Sequence, residues 1–226
     1  MISGPTIDAG RACVGAAAKL MLLQRVGGAV ADDLLTQLQP MLLIHEILRA
    51  ALARPAADLD ALREHSEGIK PAVQDAMSAS AAAAEWLLPL VGASTPSAEL
   101  ASECAALLRP EFELCGLRIT LAAKGEVVAI DRSQGRTMLC AVLAHAGDDA
   151  DAPGEIQVRL EHRDAVCQVR VSRRPVMGAV AADYLKPQQA AMSWDDLLAL
   201  AELERAVVWR DDDGAIVLEL AAAAKA

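Results

Sequence analysis

The residues of this chain that could do chemistry are few, and the clearest group is basic. Arg170, Arg173 and Arg174 lie within one short stretch of a chain whose net charge is −10. Guanidinium groups bind carboxylates and phosphates through paired hydrogen bonds, so such a cluster could hold an acidic protein surface or a phosphorylated ligand. The simpler interpretation is the solvated end of a β-strand, which we favour from the residues alone.

Cysteine and histidine, the side chains that most often bind metals, are spaced too widely to form a recognisable site. The chain has no C-x-x-C pair, and no cysteine stands at metal-ligand spacing from a histidine. The cysteines are Cys13, Cys104, Cys115, Cys140 and Cys167. Most lie in apolar surroundings, where cysteine is usually a small buried hydrophobe. The sequence therefore predicts reduced thiols, a cytoplasmic setting, no metal site and no cofactor.

Composition favours closely packed helices and argues against two kinds of partner. Of the 226 residues, 54% are hydrophobic but only 2% are aromatic, and alanine and leucine dominate. The acidic balance disfavours nucleic acid, which requires a basic face. Residues 1–10 lack the pattern of a signal peptide. The apolar run Ala16–Leu23 is shorter than the ~20 residues needed to cross a bilayer, so we expect no membrane insertion.

Heptad periodicity predicts two long helices in the first part of the chain. Residues 10–53 carry an apolar stripe, and Pro40 within it is expected to kink the helix. A turn at 54–58 separates it from a second striped helix at 59–90. The first stripe runs through Leu20, Leu23, Gly27, Val30, Leu34, Leu38, Met41, His45, Leu48 and Leu52.

Two such helices form an antiparallel hairpin, which cannot bury both stripes by itself. Dimerisation into a four-helix bundle is the economical solution, so we predict a homodimer. The predicted dimer-interface residues are Leu34, Leu38, Met41, Leu48, Leu62, Ile69 and Val73.

After a linker at 92–97, short helical segments alternate with strand-like segments. Asp211–Gly214 is a strong signal for a hairpin turn. The predicted helices are Ala98–Leu108, Ser133–Ala146 and Ser193–Leu203, and the predicted strands are Leu117–Leu121, Val127–Ile130, Ile156–Leu160, Val166–Val171, Ala206–Arg210 and Ala215–Leu220. Residues 221–226 are expected to form a loose tail.

Three of these stretches resemble bacterial sensor histidine kinases. Arg25–Leu38 aligns without a gap with the phosphoacceptor helix, one common form of which is G-R-L-A-G-G-V-A-H-D-F-N-N-L-L, and Asp32 stands at its histidine. Leu108–Ile119 is similar to the family's L-R-P-E-L-E-x-x-G-I-x-L segment, and Asp131–Gln134 is similar to its D-P-S-Q helix start.

The resemblance implies an α+β chain of two domains. Residues 1–93 would form the helical hairpin that dimerises, and residues 94–226 would form a kinase-type ATP-binding domain, an α/β sandwich in which helices lie on a mixed sheet. Homodimerisation and contact with a response-regulator receiver domain or a histidine kinase would follow from the same resemblance.

The residues that bind nucleotide in the family are replaced in this chain. The two N-box asparagines fall on Ala141 and His145, and the D-x-G-x-G segment that reads adenine falls on residues 173–177. The family's glycine-rich lid cradles phosphate through backbone N–H groups, but no glycine lies between Gly178 and Gly214. The altered positions are Asp32, Ala141, His145, Arg173 and Pro175. We therefore expect a degenerate domain that does not bind ATP and leaves a vacated pocket beside His145.

His45 is the alternative phosphoacceptor. His45–Arg49 resembles the family's H-E-x-R core, in which the acidic neighbour acts as a general base. However, His45 lies in the predicted stripe and closer to the turn at 54–58 than the family's histidine does, whereas Asp32 has the family's offset. We therefore interpret His45 as a packed core residue and Asp32 as a solvated acid.

The sequence thus favours a non-catalytic, kinase-like signalling protein that acts by protein–protein contact. One alternative is a histidine phosphotransferase that uses His45, and another is a small-ligand regulator that uses the vacated pocket near His145 and Arg173. The resemblance places receiver docking on the first helix, at Leu35, Gln39, Leu42 and Arg49.

Overall fold

The computed structural model describes residues 9–53, 59–87, 92–123, 128–163, 165–175 and 190–223. The fold is α+β, as predicted: a long N-terminal helix is followed by a five-stranded mixed sheet with helices. The chain divides into two compact units. Unit 1 contains Met1–Val26 and Leu90–Ala226, and unit 2 contains Gly27–Pro89.

Helices α1 (Ala9–Leu52) and α2 (Leu59–Leu87) correspond closely to the two predicted helices. Helical structure continues through Pro40, whose side chain is exposed. Among the described helices, α1 is the one that could cross a membrane by length and composition, although 33% of its most apolar stretch is buried. The core helices of soluble proteins can be equally long and apolar, so the absence of membrane insertion stays a prediction.

In unit 2, the half-buried face of α1 includes Leu34, Met41, Ile44 and Leu48. A Cβ atom built on Gly68 of α2 would lie 3.7 Å from the Ile44 side chain, so these helices face each other there. Other positions of the predicted stripe differ. His45 is exposed and Ile44 takes the inner position, so the prediction of a packed histidine does not hold within the single chain.

In unit 1, the first part of α1 buries a face other than the predicted stripe. Ala18, Leu22 and Val26 are buried, whereas Leu20 and Leu23 are 58% and 45% exposed. The reason is the small residue Gly15, because a Cβ atom added to it would lie only 2.6 Å from the backbone oxygen of Ala199. Helix α1 can therefore pack closely against the mixed α/β region. Residues up to Val26 group with that region, whereas the sequence predicts that residues 1–93 form one helical domain.

Unit 1 continues with β1 (Ser94–Pro96) and α3 (Ser97–Leu114), where the sequence predicts a linker and a helix ending at Leu108. Strand β1 pairs antiparallel with β3 (Ala129–Asp131) in a separate two-stranded sheet. Helix α3 passes through Pro110 because its last turn is held by packing: the Phe112 ring is 1% exposed.

Helix α4 (Arg132–Asp148) begins where the sequence predicts a cap. The Asp131 side chain accepts a hydrogen bond from the backbone N–H of Gln134 at 2.8 Å, which satisfies one of the free donors at a helix start. Most of α4 is buried, because α3 and α5 (Trp194–Glu204) pack on it.

The larger sheet contains β2 (Leu117–Ala123), β4 (Gly154–Arg163), β5 (Val166–Pro175), β6 (Val207–Arg210) and β7 (Ile216–Ala221). The order of these strands across the sheet is β2-β4-β5-β7-β6. Only the pair β2–β4 is parallel, which makes the sheet mixed. Alternation along β4 buries Ile156, Val158 and Leu160 on one face, and each buried aliphatic side chain stabilises the fold by about 1.5–3 kcal/mol.

The two predicted hairpins, β4–β5 and β6–β7, are present. In the second, Gly214 has a φ of +77° and its N–H donates to the Asp211 carbonyl, as a tight turn requires. The predicted loose tail is partly ordered, because Ala222 forms a β-bridge with Ile130. Residues 224–226 lie outside the described residues.

Candidate functional site at the C-terminal end of helix α4

His145 lies in the last turns of α4 and is 3% exposed. Its Nδ1 lies 2.8 Å from the Met192 carbonyl oxygen, and its Nε2 lies 3.0 Å from a guanidinium nitrogen of Arg210. A carbonyl can only accept and a guanidinium can only donate, so Nδ1 carries the hydrogen and Nε2 is the acceptor. Within the described residues both ring nitrogens are engaged with protein atoms, so neither is free to bind a ligand.

Aromatic packing fixes the same end of α4. The Trp194 ring, at the start of α5, lies 5.5 Å from the His145 ring, and the Arg210 guanidinium lies 4.7 Å above the Trp194 ring in a cation–π contact. Arg210 also lies 3.4 Å from the Asp149 carboxylate. These contacts join α4, α5 and β6 in one cluster.

Arg173 serves the adjoining loop between α4 and β4. Its guanidinium donates to Asp151 at 2.7 Å and to the Ala152 carbonyl at 2.8 Å. The hydrogen bond from Arg173 lowers the pKa of Asp151. The predicted ligand regulator would need His145 and Arg173 free to line a pocket, and in the described residues both are held by protein partners.

The basic cluster of the sequence does not form a single surface. Alternation along β5 places Arg173 on the face of the buried Val171 and Arg170 on the opposite face. Arg170 pairs with Asp211 and, at 3.0 Å, with Asp213. The interpretation as a solvated strand end fits Arg174, which is exposed, whereas the other two arginines hold loops in place.

Arg25 of α1 lies between two carboxylates of unit 1. It forms a fork with Glu111, at 3.0 and 2.5 Å, and a second fork with Asp148, at 2.7 and 3.1 Å. Burial by itself lowers the pKa of Arg25, but the hydrogen bonds and charges of Glu111 and Asp148 outweigh it, so the net effect raises the pKa. Removing one partner of such a buried pair typically costs about 3–5 kcal/mol.

Asp148 connects this ion triad to the His145 cluster. Its Oδ2 accepts from Arg25 and also from the backbone N–H of Met192 at 2.8 Å. No sequence pattern predicted the roles of Arg25, Asp148 and Met192. One signal was available, because Arg25 interrupts the otherwise apolar face formed by Ala18, Leu22 and Val26.

The remaining altered positions contribute no charged or metal-binding group to this cluster. Ala141 is fully buried in the core of α4, and Pro175 is exposed at the end of β5. Asp32 is exposed and belongs to unit 2. Within the described ranges, no group of three or more His, Cys, Asp and Glu side chains could hold a metal ion.

The alternative acceptor His45 is accessible on α1, but its acidic neighbour is engaged. The Glu46 carboxylate pairs with Arg49 at 2.7 Å. The predicted docking residues Leu35, Gln39, Leu42 and Arg49 are all exposed, and of the predicted dimer-interface residues only Leu38 is exposed while the others are half-buried.

No protein-family model matches the sequence, and no curated protein matches it. Three solved structures illustrate what the chain is similar to. A histidine kinase from Burkholderia phymatum STM815 has 15% identity, with 97% of this chain and 100% of that chain covered and a TM-score of 0.45. The histidine kinase AdeS of Acinetobacter baumannii has 12% identity, coverage of 85% and 98%, and a TM-score of 0.44. The catalytic domain of the histidine kinase ThkA has 16% identity, coverage of 58% and 94%, and a TM-score of 0.42. All three are named as a histidine kinase or as a domain of one.

Proposed function

We propose that this protein is a non-catalytic, histidine-kinase-like signalling protein that dimerises through its helical hairpin and acts by contact with other proteins. The observation that carries this proposal is the engagement of His145. The resemblance places the metal- and phosphate-binding asparagine of the kinases at this position, and here both ring nitrogens are used by Met192 and Arg210.

The neighbouring positions support the same conclusion. Ala141 offers a methyl group where the resemblance places the earlier asparagine. Arg173 stands in the segment that would read adenine, and its guanidinium, which has only donors, is paired with Asp151. A nucleotide bound in the kinase manner would therefore meet no oxygen ligand for its metal at these positions.

Calorimetric titration with MgATP and with MgADP tests the loss of nucleotide binding. We expect no saturable heat up to millimolar nucleotide, and no rise of the melting temperature in the same buffers. Binding at micromolar concentration would disprove the proposal. The Trp194→Leu variant, which opens the packing around His145, serves as a control for access: it should also fail to bind, because the ligand set stays the same.

Apolar side chains exposed on α1 support the dimer and the partner contact. Leu35, Leu38 and Leu42 are 59%, 46% and 64% exposed in the single chain, and exposed apolar patches of this kind mark interaction sites. We assign Leu38, together with the other predicted interface residues, to the dimer interface. We assign Leu35 and Leu42 to the docking of a receiver domain or a kinase.

Sedimentation equilibrium separates these assignments. Leu38→Glu should convert a dimer into a monomer, whereas Met77→Glu, a matched change at a 67% exposed position of α2, should leave the dimer intact. Leu42→Glu should leave the dimer intact and abolish binding to a receiver domain. A wild-type chain that stays monomeric at high concentration would contradict the bundle.

A phosphotransferase that uses His45 is the second candidate, because the exposed imidazole could reach a phosphorylated receiver domain. The pair formed by Glu46 and Arg49 is exposed and opens at little cost, so it leaves Glu46 available as a general base. Incubation with a phosphorylated receiver domain decides the matter. Acid-labile label on the wild type that disappears in His45→Ala would favour this candidate over the non-catalytic protein.

A further inference from the structure

A continuous set of hydrogen bonds in unit 1 joins helix α1 to the start of helix α5. Arg25 Nη1 donates to Asp148 Oδ2 at 2.7 Å, and the Met192 N–H donates to the same oxygen at 2.8 Å. Because one carboxylate oxygen serves both donors, a rotation of Asp148 that follows Arg25 also changes the bond to Met192.

Met192 is held at both of its backbone polar groups. Its N–H bonds to Asp148, its carbonyl accepts from His145, and its side chain is 4% exposed. Ser193, the next residue, caps α5 in a reciprocal capping box with Asp196. Met192 therefore holds the chain directly before the residue that caps α5.

Helix α1 also contacts the far end of α5. The Lys19 ammonium lies 2.6 Å from the Glu204 carboxylate, Arg11 lies 3.1 Å from Glu202, and Gly15 packs against Ala199. The same segment of α1 thus holds α5 near its end through direct contacts and at its start through Asp148.

We propose that Asp148 is a relay that couples the position of helix α1 to the backbone conformation at the start of helix α5. With Arg25 in place, two guanidinium bonds compensate the charge of a carboxylate whose side chain is 5% exposed. When α1 moves and withdraws Arg25, a buried carboxylate bonded to one neutral N–H is poorly compensated. Asp148 then turns towards water and releases Met192, so the first turn of α5 loosens.

This coupling goes beyond the proposed function and does not depend on it, since it involves neither nucleotide nor partner. It gives unit 1 a route by which a signal that shifts α1 changes the surface around α5, Trp194 and Arg210. Allosteric coupling of this kind requires an element whose state both sites bias, and the Asp148 rotamer is that element.

Amide hydrogen exchange of the full chain tests the relay. In Arg25→Met, which keeps much of the side-chain volume, the Met192 amide should exchange about tenfold faster or more than in the wild type, which corresponds to about 1.4 kcal/mol. The matched control is Arg136→Met, which removes a buried arginine paired with Glu103 in the same unit. It should leave the ratio of Met192 exchange to that of the sheet core unchanged.

The Asp148→Asn background separates a relay from general loosening. Asparagine retains an oxygen for the Met192 N–H but loses the charge that recruits Arg25. In that background Arg25→Met should change Met192 exchange by less than about twofold, because coupled residues show non-additive effects. An equal acceleration in both backgrounds would overturn the proposal, as would no acceleration in the wild-type background.

If Arg25→Met fails to fold, Arg25→Lys replaces it. Lysine keeps the charge but cannot form both forks, so the relay predicts an intermediate acceleration at Met192. The relay would be refuted if the Met192 amide of Arg25→Lys exchanged at the wild-type rate while the α1 amides lost protection.

Discussion

The packing of α1 against α5 leads us to predict opposite effects of alanine at two glycines of α1, Gly15 and Gly27. An alanine Cβ at Gly15 would lie 2.6 Å from the Ala199 backbone oxygen and 3.1 Å from its carbonyl carbon, whereas one at Gly27 meets nothing within 4 Å. Glycine to alanine in a helix interior is favourable by about 0.8–1.0 kcal/mol. Overpacking against a rigid neighbour costs about 1–3 kcal/mol, and here the neighbour is backbone.

Gly15→Ala should therefore destabilise unit 1 by about 1 kcal/mol, after the gain in helix propensity is subtracted from the overpacking cost. Gly27→Ala should stabilise its unit by about 0.8 kcal/mol. For a chain of this size, 1 kcal/mol corresponds to a shift of about 2–4 °C in melting temperature.

Urea unfolding measures both effects when each unit has its own probe. In a Trp86→Phe background the remaining tryptophans, Trp194 and Trp209, both lie in unit 1, so fluorescence reports that unit, and far-UV circular dichroism of the helices reports Gly27→Ala. The packing of residues 9–26 against α5 is refuted if Gly15→Ala stabilises unit 1 as much as Gly27→Ala stabilises unit 2.

Three further predictions follow from single contacts. Cys13 is exposed, whereas burial raises the pKa of the Cys104 and Cys167 thiols. A thiol reagent at pH 8 should therefore label Cys13 fast and the other two cysteines only on unfolding. Rapid labelling of Cys104 in the native protein would contradict its burial. Ser193→Ala removes the N-cap of α5 and should lower the free energy of unfolding by about 1 kcal/mol, measured by urea unfolding, and an unchanged midpoint would contradict the capping box. Arg205 ends α5 with a φ of +57°, so Arg205→Gly should raise stability by about 1 kcal/mol by removing left-handed strain; a lower melting temperature would show that the Arg205 side chain matters more than its backbone.

Local signals carried most of the secondary structure of the second half. The cap at Asp131, the capping box that begins at Ser193 and the turn at Asp211–Gly214 are each set by residues within one turn of the chain. Such short-range chemistry can be read directly from sequence, and the helices and hairpins there agree with the prediction.

The elements that were missed depend on partners far along the chain. Strand β1 exists because Thr95 pairs with Ile130, a residue that lies beyond α3 in the sequence. Helix α3 continues past Pro110 because Phe112 is buried against α4, where a Cβ atom on Gly147 would lie 2.9 Å from its ring. Neither contact leaves a periodic signal in its own segment.

The sequence by itself determined which chemical groups are available. It predicted the α+β order of elements, and it showed that Ala141, His145 and Arg173 stand where the resemblance expects nucleotide-binding residues. Residue identity and local periodicity need no knowledge of the fold. The expectation of a non-catalytic protein therefore came from the sequence and stays a proposal.

Only the tertiary structure decided which face of α1 is buried and which groups meet. Residues 9–26 offer two apolar stripes, and the choice between them depends on the close approach that Gly15 permits to Ala199. The meeting of Arg25, Asp148 and Met192 depends on the packing of α1, α4 and α5. Contacts between residues so far apart in sequence arise from the summed packing of the whole domain, which no local pattern encodes.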